Sequence, residues 1–383
     1  MSDAVQNTAA AAGADASKDA EVDAAMAAAN HVADLVDRLF ADKAGHDVVL
    51  AAENAPLSKT LWDAVAGPGL PWIGIDEAAG GSGGSLTDVV TLLTAAGRHA
   101  VPLPLLEHHL ALWLVTVSGG RVEGTGAWTV APPAGACPAA GLALTGTTVT
   151  GTLRDVAWGR SAECVVALLV TDDGTKALVL DPADATVTHG HDIAGQPRDV
   201  LTFEEVPADI LPCPVTVDEL AQRGAVLRAA QMAGAMTAVH GLTQRYTAER
   251  EQFGRPIGKF QSVRTHLVHL AQMAVMTQVS VDRAAAALEA AHGSASGRDA
   301  SFAAYAAKLL ADQNAAVSIK AGHQAHGAIG MTREYALQDY TRRLNAWRGD
   351  WGTEHALADR IGAAVARAGR IATLVTDEGA LSV

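Results

Sequence analysis

Aromatic side chains make up only 4% of the 383 residues, and there are three cysteines, Cys137, Cys164 and Cys213. An odd count with no C-x-x-C pair implies neither a disulfide framework nor a zinc site, and the thiols read as ordinary residues of a reducing cytoplasm. Basic residues are in deficit: 28 Lys and Arg against 42 Asp and Glu leave a net charge of -14. Such a surface repels a long polyanion, which argues against nucleic acid as a partner. It still allows a few local arginines to hold a small phosphate. No uninterrupted apolar run of about 20 residues occurs, so no membrane insertion is expected. Internal repeats, coiled-coil heptads and H-E-x-x-H metal pairs are missing as well, and His266 and His269 read as packing or surface residues. Residues 1–20, rich in Ala, Asp and Ser, lack the basic start and apolar run of a secretion signal and read as a loose tail.

Alanine is abundant, and 49% hydrophobic against 18% charged residues is a globular composition. Small side chains let helix axes approach closely. Between Glu21 and Ala52 the residues Val32, Leu35, Val36, Leu39 and Phe40 recur at three- and four-residue spacing, the mark of one apolar helix face. A second helix is expected from Ser85, which can cap it with Asp88 three residues on, and another over His108–Val117. From Arg121 to Cys213 the pattern changes to short β-branched runs separated by turns such as Asp172-Asp173-Gly174, the pattern of a small, mostly antiparallel β domain. Long helical stretches follow over 219–250, 261–292 and 298–327, broken by the loop Gly293–Gly297, and a last one starts after Thr353. The expected fold is α+β, mostly α. It comprises an N-terminal helical domain over 21–120, a central β domain over 121–213 and a helical bundle over 214–383.

Three segments carry more specific chemistry. In Arg250-Glu251-Gln252-Phe253-Gly254-Arg255-Pro256-Ile257-Gly258-Lys259-Phe260-Gln261, glycine and proline turn the chain between two helices, and Arg250 is placed to meet a phosphate. Read alone, the segment is equally a plain helix–helix turn with a solvated arginine. In Gln324-Ala325-His326-Gly327-Ala328-Ile329-Gly330, glycines at a helix end allow close backbone approach to a ligand, though glycine is common there. In Trp347-Arg348-Gly349-Asp350-Trp351-Gly352-Thr353-Glu354, Thr353 is a helix N-cap or a ligand contact.

Taken in order, with Arg343 ten residues before Thr353 and the N-terminal stretch Leu70-Pro71-Trp72 to Gly83-Gly84, these segments resemble the acyl-CoA dehydrogenase family. The resemblance covers nearly the whole chain and is weakest in the β domain. It implies an N-terminal helical domain, a central β domain and a C-terminal four-helix bundle. The activity it implies is α,β-desaturation of an acyl-CoA thioester: a glutamate takes the α-proton, and FAD takes the β-hydride because no side chain can. An electron-transfer flavoprotein or similar acceptor then reoxidises the flavin.

The resemblance also shows what this chain lacks. In most members a glutamate precedes the Gly-Thr pair, and here that position is Trp351. In others the glutamate stands early in the first bundle helix, and the register on Ala229–Met236 puts Gly224 there. Asp350 and Glu219 are the nearest carboxylates. The β-domain segments that flank the flavin correspond to Ala131–Cys137 and Leu153–Trp158, without the family's hydroxyl and indole donors. Retained are the contacts that members donate to the neighbouring subunit's FAD: Arg250, Phe253, Gln261, Gln324 and Gly327, with Thr353 as a further cofactor contact.

The resemblance is therefore to the non-catalytic subunit of actinobacterial heterotetrameric, steroid-type acyl-CoA dehydrogenases. It implies a related partner subunit that supplies the base, and a cytoplasmic location. Two alternatives remain at this stage: a self-sufficient homomeric enzyme with a displaced base, and a flavin-free structural relative.

Overall fold

The structure, a computed structural model, describes residues 32–132, 141–291 and 300–369. The tail, the Pro133–Cys137 part of the β-domain segment and the Gly293–Gly297 loop lie outside the described residues. Residues 32–43 form α1, and α2 follows at His46–Ala51. Then come α3 (Lys59–Ala66), α4 (Leu86–Arg98) and α5 (Leu105–Val117). Ser85 and Asp88 close the expected capping box at the start of α4. Helix α5 is buried on every side from Leu105 to Val115, which fits its nearly unbroken apolar sequence.

Eight strands follow: β1 (Trp128–Val130), β2 (Gly141–Thr145), β3 (Thr148–Ala157), β4 (Cys164–Thr171), β5 (Gly174–Leu180), β6 (Thr186–Thr188), β7 (Arg198–Pro207) and β8 (Asp209–Pro212). They make two four-stranded sheets, ordered β1-β4-β5-β8 and β2-β3-β7-β6. Their ladders are antiparallel except β1–β4, which pair in parallel with Trp128 beside Cys164. Val149, Leu153 and Val156 of β3, Leu178 of β5, and Leu201 and Phe203 of β7 fill the space between the sheets. Each such side chain contributes roughly 1.5–3 kcal/mol on leaving water.

The rest is helical: α6 (Val217–Glu249), α7 (Gln261–Ala291), α8 (Ala300–His326), α9 (Leu337–Trp347) and α10 (Glu354–Ala368), with a two-residue ribbon, β9 (Glu251–Gln252) and β10 (Arg255–Pro256), between α6 and α7. Helices α6, α7 and α8 run up, down and up. Glycines on both sides bring α4 and α6 into contact: a methyl on Gly97 would lie 1.9 Å from the Gln231 carbonyl oxygen, and one on Gly234 would lie 1.9 Å from that of Thr94. This clamps the N-terminal helices to the bundle. The sequence patterning missed α9, whose residues fall between two motifs read as loops. Among the described residues, no helix is long and apolar enough to cross a membrane, and no cluster of three or more His, Cys, Asp or Glu forms a metal site.

Candidate functional site

The loop before α10 meets the first turns of α6, and here the two positions that the resemblance assigns to the base touch. Trp351 is buried at a left-handed φ of 59°. Its indole lies on Gly224, where a Cβ would stand 2.3 Å from Cδ2 and Cε3. One position thus holds an indole, which has no basic lone pair, and the other has room for no side chain. The buried Lys308 of α8 reaches the Gly352 carbonyl oxygen at 3.4 Å and Asp312 Oδ1 at 2.6 Å, tying the loop to the bundle. Burial pushes the Asp312 carboxyl up to about 7, against the pull of Lys308.

Asp350 is not free to act as a base. It accepts from Arg198 Nη2 at 2.6 Å and lies 3.0 Å from Arg228 Nη2, which also bonds Glu107 at 2.6 Å. Burial alone raises the Asp350 carboxyl, but Arg198 and Arg228 outweigh it and hold the group below the usual carboxylate range. A general base works best with a pKa near the operating pH, and this one is far below it. Glu219 closes a capping box instead, accepting from the Thr216 N–H and hydroxyl at 2.7 Å each.

The charge network spans α5 (Glu107), α6 (Arg228), the loop (Asp350), β7 (Arg198) and, at 3.9 Å from Arg198, Asp155 of β3. It crosses the junction of the N-terminal helices, the β sheets and the bundle. The cavity left between it and Val130, Pro132, Ala157 and Trp351 is about 30 Å³. That is room for water and far below the several hundred Å³ of a cofactor pocket. Among the described residues, those lining this cavity leave no room for a flavin ring.

The other end of the bundle differs. Arg250 ends α6, its N–H donating to the Tyr246 carbonyl at 2.8 Å. Phe253, at the tip of the β9–β10 ribbon, is 92% exposed at φ 53°. Tyr246 stacks on His326 with ring centroids 4.6 Å apart, which brings the C-terminal ends of α6 and α8 together. Gly327, at φ 65°, follows the last residue of α8. Arg250, Phe253, Gln261, Gln324 and Gly327 therefore gather at one exposed end. Among the described residues, the side chains of Arg250, Gln261 and Gln324 make no hydrogen bond, so their donors are available to a ligand outside the chain. This set fits a cofactor held by a neighbour.

Thr353 is not part of it. Its hydroxyl caps α10, accepting from the Ala356 N–H at 3.3 Å. Its loop sits at Gly224, about 39 Å along α6 from Arg250 at 1.5 Å per residue. Glu107, Arg198, Arg228, Lys308 and Asp312 were invisible to motif reading because each lies on a different turn or element from the partner that gives it meaning.

Residues 216–366 match the family described as acyl-CoA dehydrogenase, C-terminal domain. Acyl-CoA dehydrogenase IpdE2 of Mycolicibacterium smegmatis is 28% identical over 278 residues, 71% of this chain and 76% of that protein. A variant of the Tcur3481-Tcur3483 steroid ACAD superposes with a TM-score of 0.78 at 26% identity, over 90% of this chain and 99% of that one. A chain of the ChsE4-ChsE5 complex from Mycobacterium tuberculosis shares the fold, with a TM-score of 0.74 at 20% identity over 88% of this chain and 97% of that one. The chain thus has the fold of acyl-CoA dehydrogenases, is similar to a steroid ACAD, and over residues 216–366 matches the acyl-CoA dehydrogenase C-terminal domain family.

Proposed function

We propose that this chain is the non-catalytic subunit of a heteromeric, FAD-dependent acyl-CoA dehydrogenase that desaturates a bulky, steroid-derived CoA thioester in the cytoplasm. The observation that carries the reading is the Trp351–Gly224 contact, which removes the base from both of its usual positions at once. Two further observations support it. The cavity beside Trp351 is too small for a flavin, and the exposed set at Arg250 keeps its donors unspent. The solved neighbours with paired names, Tcur3481-Tcur3483 and ChsE4-ChsE5, agree with a two-component assembly.

In this reading a related subunit supplies the glutamate and most of the flavin cradle. Bound FAD provides the hydride acceptor that side chains lack. This chain's part is to bind and position: Arg250 offers a bidentate guanidinium to a phosphate, Phe253 an apolar face, and Gln261 and Gln324 amide donors. An electron-transfer flavoprotein or similar acceptor completes the cycle. The alternative of a displaced base at Asp350 is disfavoured by that residue's two arginine partners.

The test is Arg250→Ala in the complex of this chain with its related subunit. FAD content should fall while the complex still assembles. Unchanged FAD content would support the flavin-free structural reading instead.

A further inference from the structure

Helix α2 begins with a histidine whose two ring nitrogens are both engaged, each by an acceptor that lies beyond α8 in the chain. His46 Nδ1 is 2.5 Å from Oδ2 of Asp339 in α9, and Nε2 is 3.0 Å from the Arg333 carbonyl oxygen. A carbonyl oxygen can only accept, so Nε2 carries a proton. The contact with Asp339 needs a second proton, on the nitrogen or on the carboxyl. A neutral imidazole beside an ionised carboxylate has only one, so this geometry holds one proton more than the two groups would keep at neutral pH in water. The Asp339 side chain is buried, and its other oxygen accepts from Gln338 Nε2 at 3.0 Å. Burial alone would lower the His46 imidazole, but Asp339, the Arg333 carbonyl and Asp47 outweigh it and raise it above the ordinary histidine value. Burial also raises the Asp339 carboxyl, against the pull of His46 and Arg343. Both directions favour keeping the extra proton.

The pair stands at one end of a turn that the cofactor set includes. Gly327–Met331 is a short 3-10 helix between α8 and Thr332, with Ile329 and Met331 exposed on its outer face. Its start is held by the bundle, where His326 stacks on Tyr246 and reaches the Tyr335 hydroxyl at 3.3 Å. Its far end is held by α2: His46 takes the Arg333 carbonyl, and Glu53 takes the Arg333 guanidinium at 3.1 Å and that of Arg342 at 2.6 Å. Arg343 donates to the Asp339 carbonyl at 2.9 Å. On α1, Asp42 and Lys43 pair with each other at the surface. In the β domain, Asp192 caps its own loop through the Ala194 and Gln196 N–H groups. Burial lowers His323 and His326, so both are already neutral where His46 gives up its proton. Burial raises Tyr335, and raises Tyr340 to about 12, so neither ionises there.

We propose that His46 is a positioning residue for the cofactor contacts: with its extra proton it fixes the turn that carries Gly327 against the neighbouring subunit's FAD, and that FAD is held less tightly once the proton is lost. The proposal rests on the reading that Gln324 and Gly327 meet a neighbour's FAD. The sign follows from the direction of the shift. An unfolded histidine loses its proton near about pH 6.5, and the folded pair keeps it to higher pH. The latch is therefore complete below about pH 6.5 and is lost as pH rises through the raised value.

The test is the FAD affinity of the complex of this chain with its related subunit, read from flavin fluorescence on dilution between about pH 6 and pH 9. Affinity should fall about threefold or more with rising pH, in a one-proton step above about pH 6.5. His46→Gln can meet one partner but cannot gain a proton, so it should bind at every pH as the unaltered complex does at high pH. His46→Arg, a permanent cation with two donors, should bind tightly throughout and flatten the profile. A packing role alone would leave the pH step in place in both variants. In the full-length chain by itself, the ring signal of labelled His46, identified by its loss in His46→Gln, should titrate above about pH 6.5. A titration at or below that value overturns the proposal. So does an FAD affinity that does not change with pH, or a pH step that persists in His46→Gln while Arg250→Ala still lowers FAD content. If Arg250→Ala leaves FAD content unchanged, the cofactor reading itself fails and takes this proposal with it.

Discussion

The indole of Trp351 rests on Gly224, at the distance where a single added methyl would collide with the ring. The resemblance seats the catalytic carboxylate at one or the other of these positions, 127 residues apart, and here one carries a large side chain and the other none. The contact predicts strong coupling. Gly224→Ala should cost about 1–3 kcal/mol by overpacking. Trp351→Ala should cost about 3–5 kcal/mol by leaving a cavity. Together they should cost less than the sum, because the methyl then grows into the space the indole vacates. Urea denaturation of the four chains reads this directly, and additive costs would mean that the two residues do not share one space.

Asp350 separates a structural from a catalytic role. It compensates both Arg198 and Arg228, so Asp350→Asn should destabilise the chain by about 3–5 kcal/mol, as removal of one member of a buried pair does. In the assembled complex at a temperature where the variant is folded, turnover should be close to that of the unaltered complex. A folded complex with turnover abolished would make Asp350 the displaced base.

His108 sets the acid limit of stability. It is fully buried among Trp62 and Trp72, accepts from the Trp128 N–H at 2.9 Å, and burial holds its pKa near 3. The folded state therefore binds fewer protons than the unfolded state between about pH 6.5 and pH 3. Stability is complete above that window and falls with pH inside it, by about 1.4 kcal/mol per pH unit for one histidine. His109, depressed by burial in the same way, adds to the slope. His108→Gln should shift the acid midpoint to lower pH and reduce the slope by about one proton, read from thermal melts between pH 4 and 7.

Much of the architecture could be read from local pattern. The period of Val32, Leu35, Val36 and Phe40, the Ser85–Asp88 box and the hairpin at Asp172-Asp173-Gly174 each declare themselves within a few residues. So does the absence of a carboxylate at Trp351 and Gly224, because it rests on position within motifs. The residues that fill its place did not. Glu107, Arg228, Asp350 and Arg198 meet from four elements across as many as 243 positions of sequence, and no spacing rule joins them. Helix α9 was missed because its polar face and its position between two motifs resemble a loop. The parallel β1–β4 pair depends on a crossover through β2 and β3 that short β-branched runs do not reveal.

The central claim is that this chain helps to hold a flavin it cannot use alone. The visible absorption spectrum of the chain purified alone, and of the chain co-purified with a related acyl-CoA dehydrogenase subunit, tests it most directly. The account predicts no flavin band and no turnover from the chain alone, and both from the pair, with the glutamate on the partner. A yellow, active protein from this chain by itself would contradict it and send the search for the base back to Asp350.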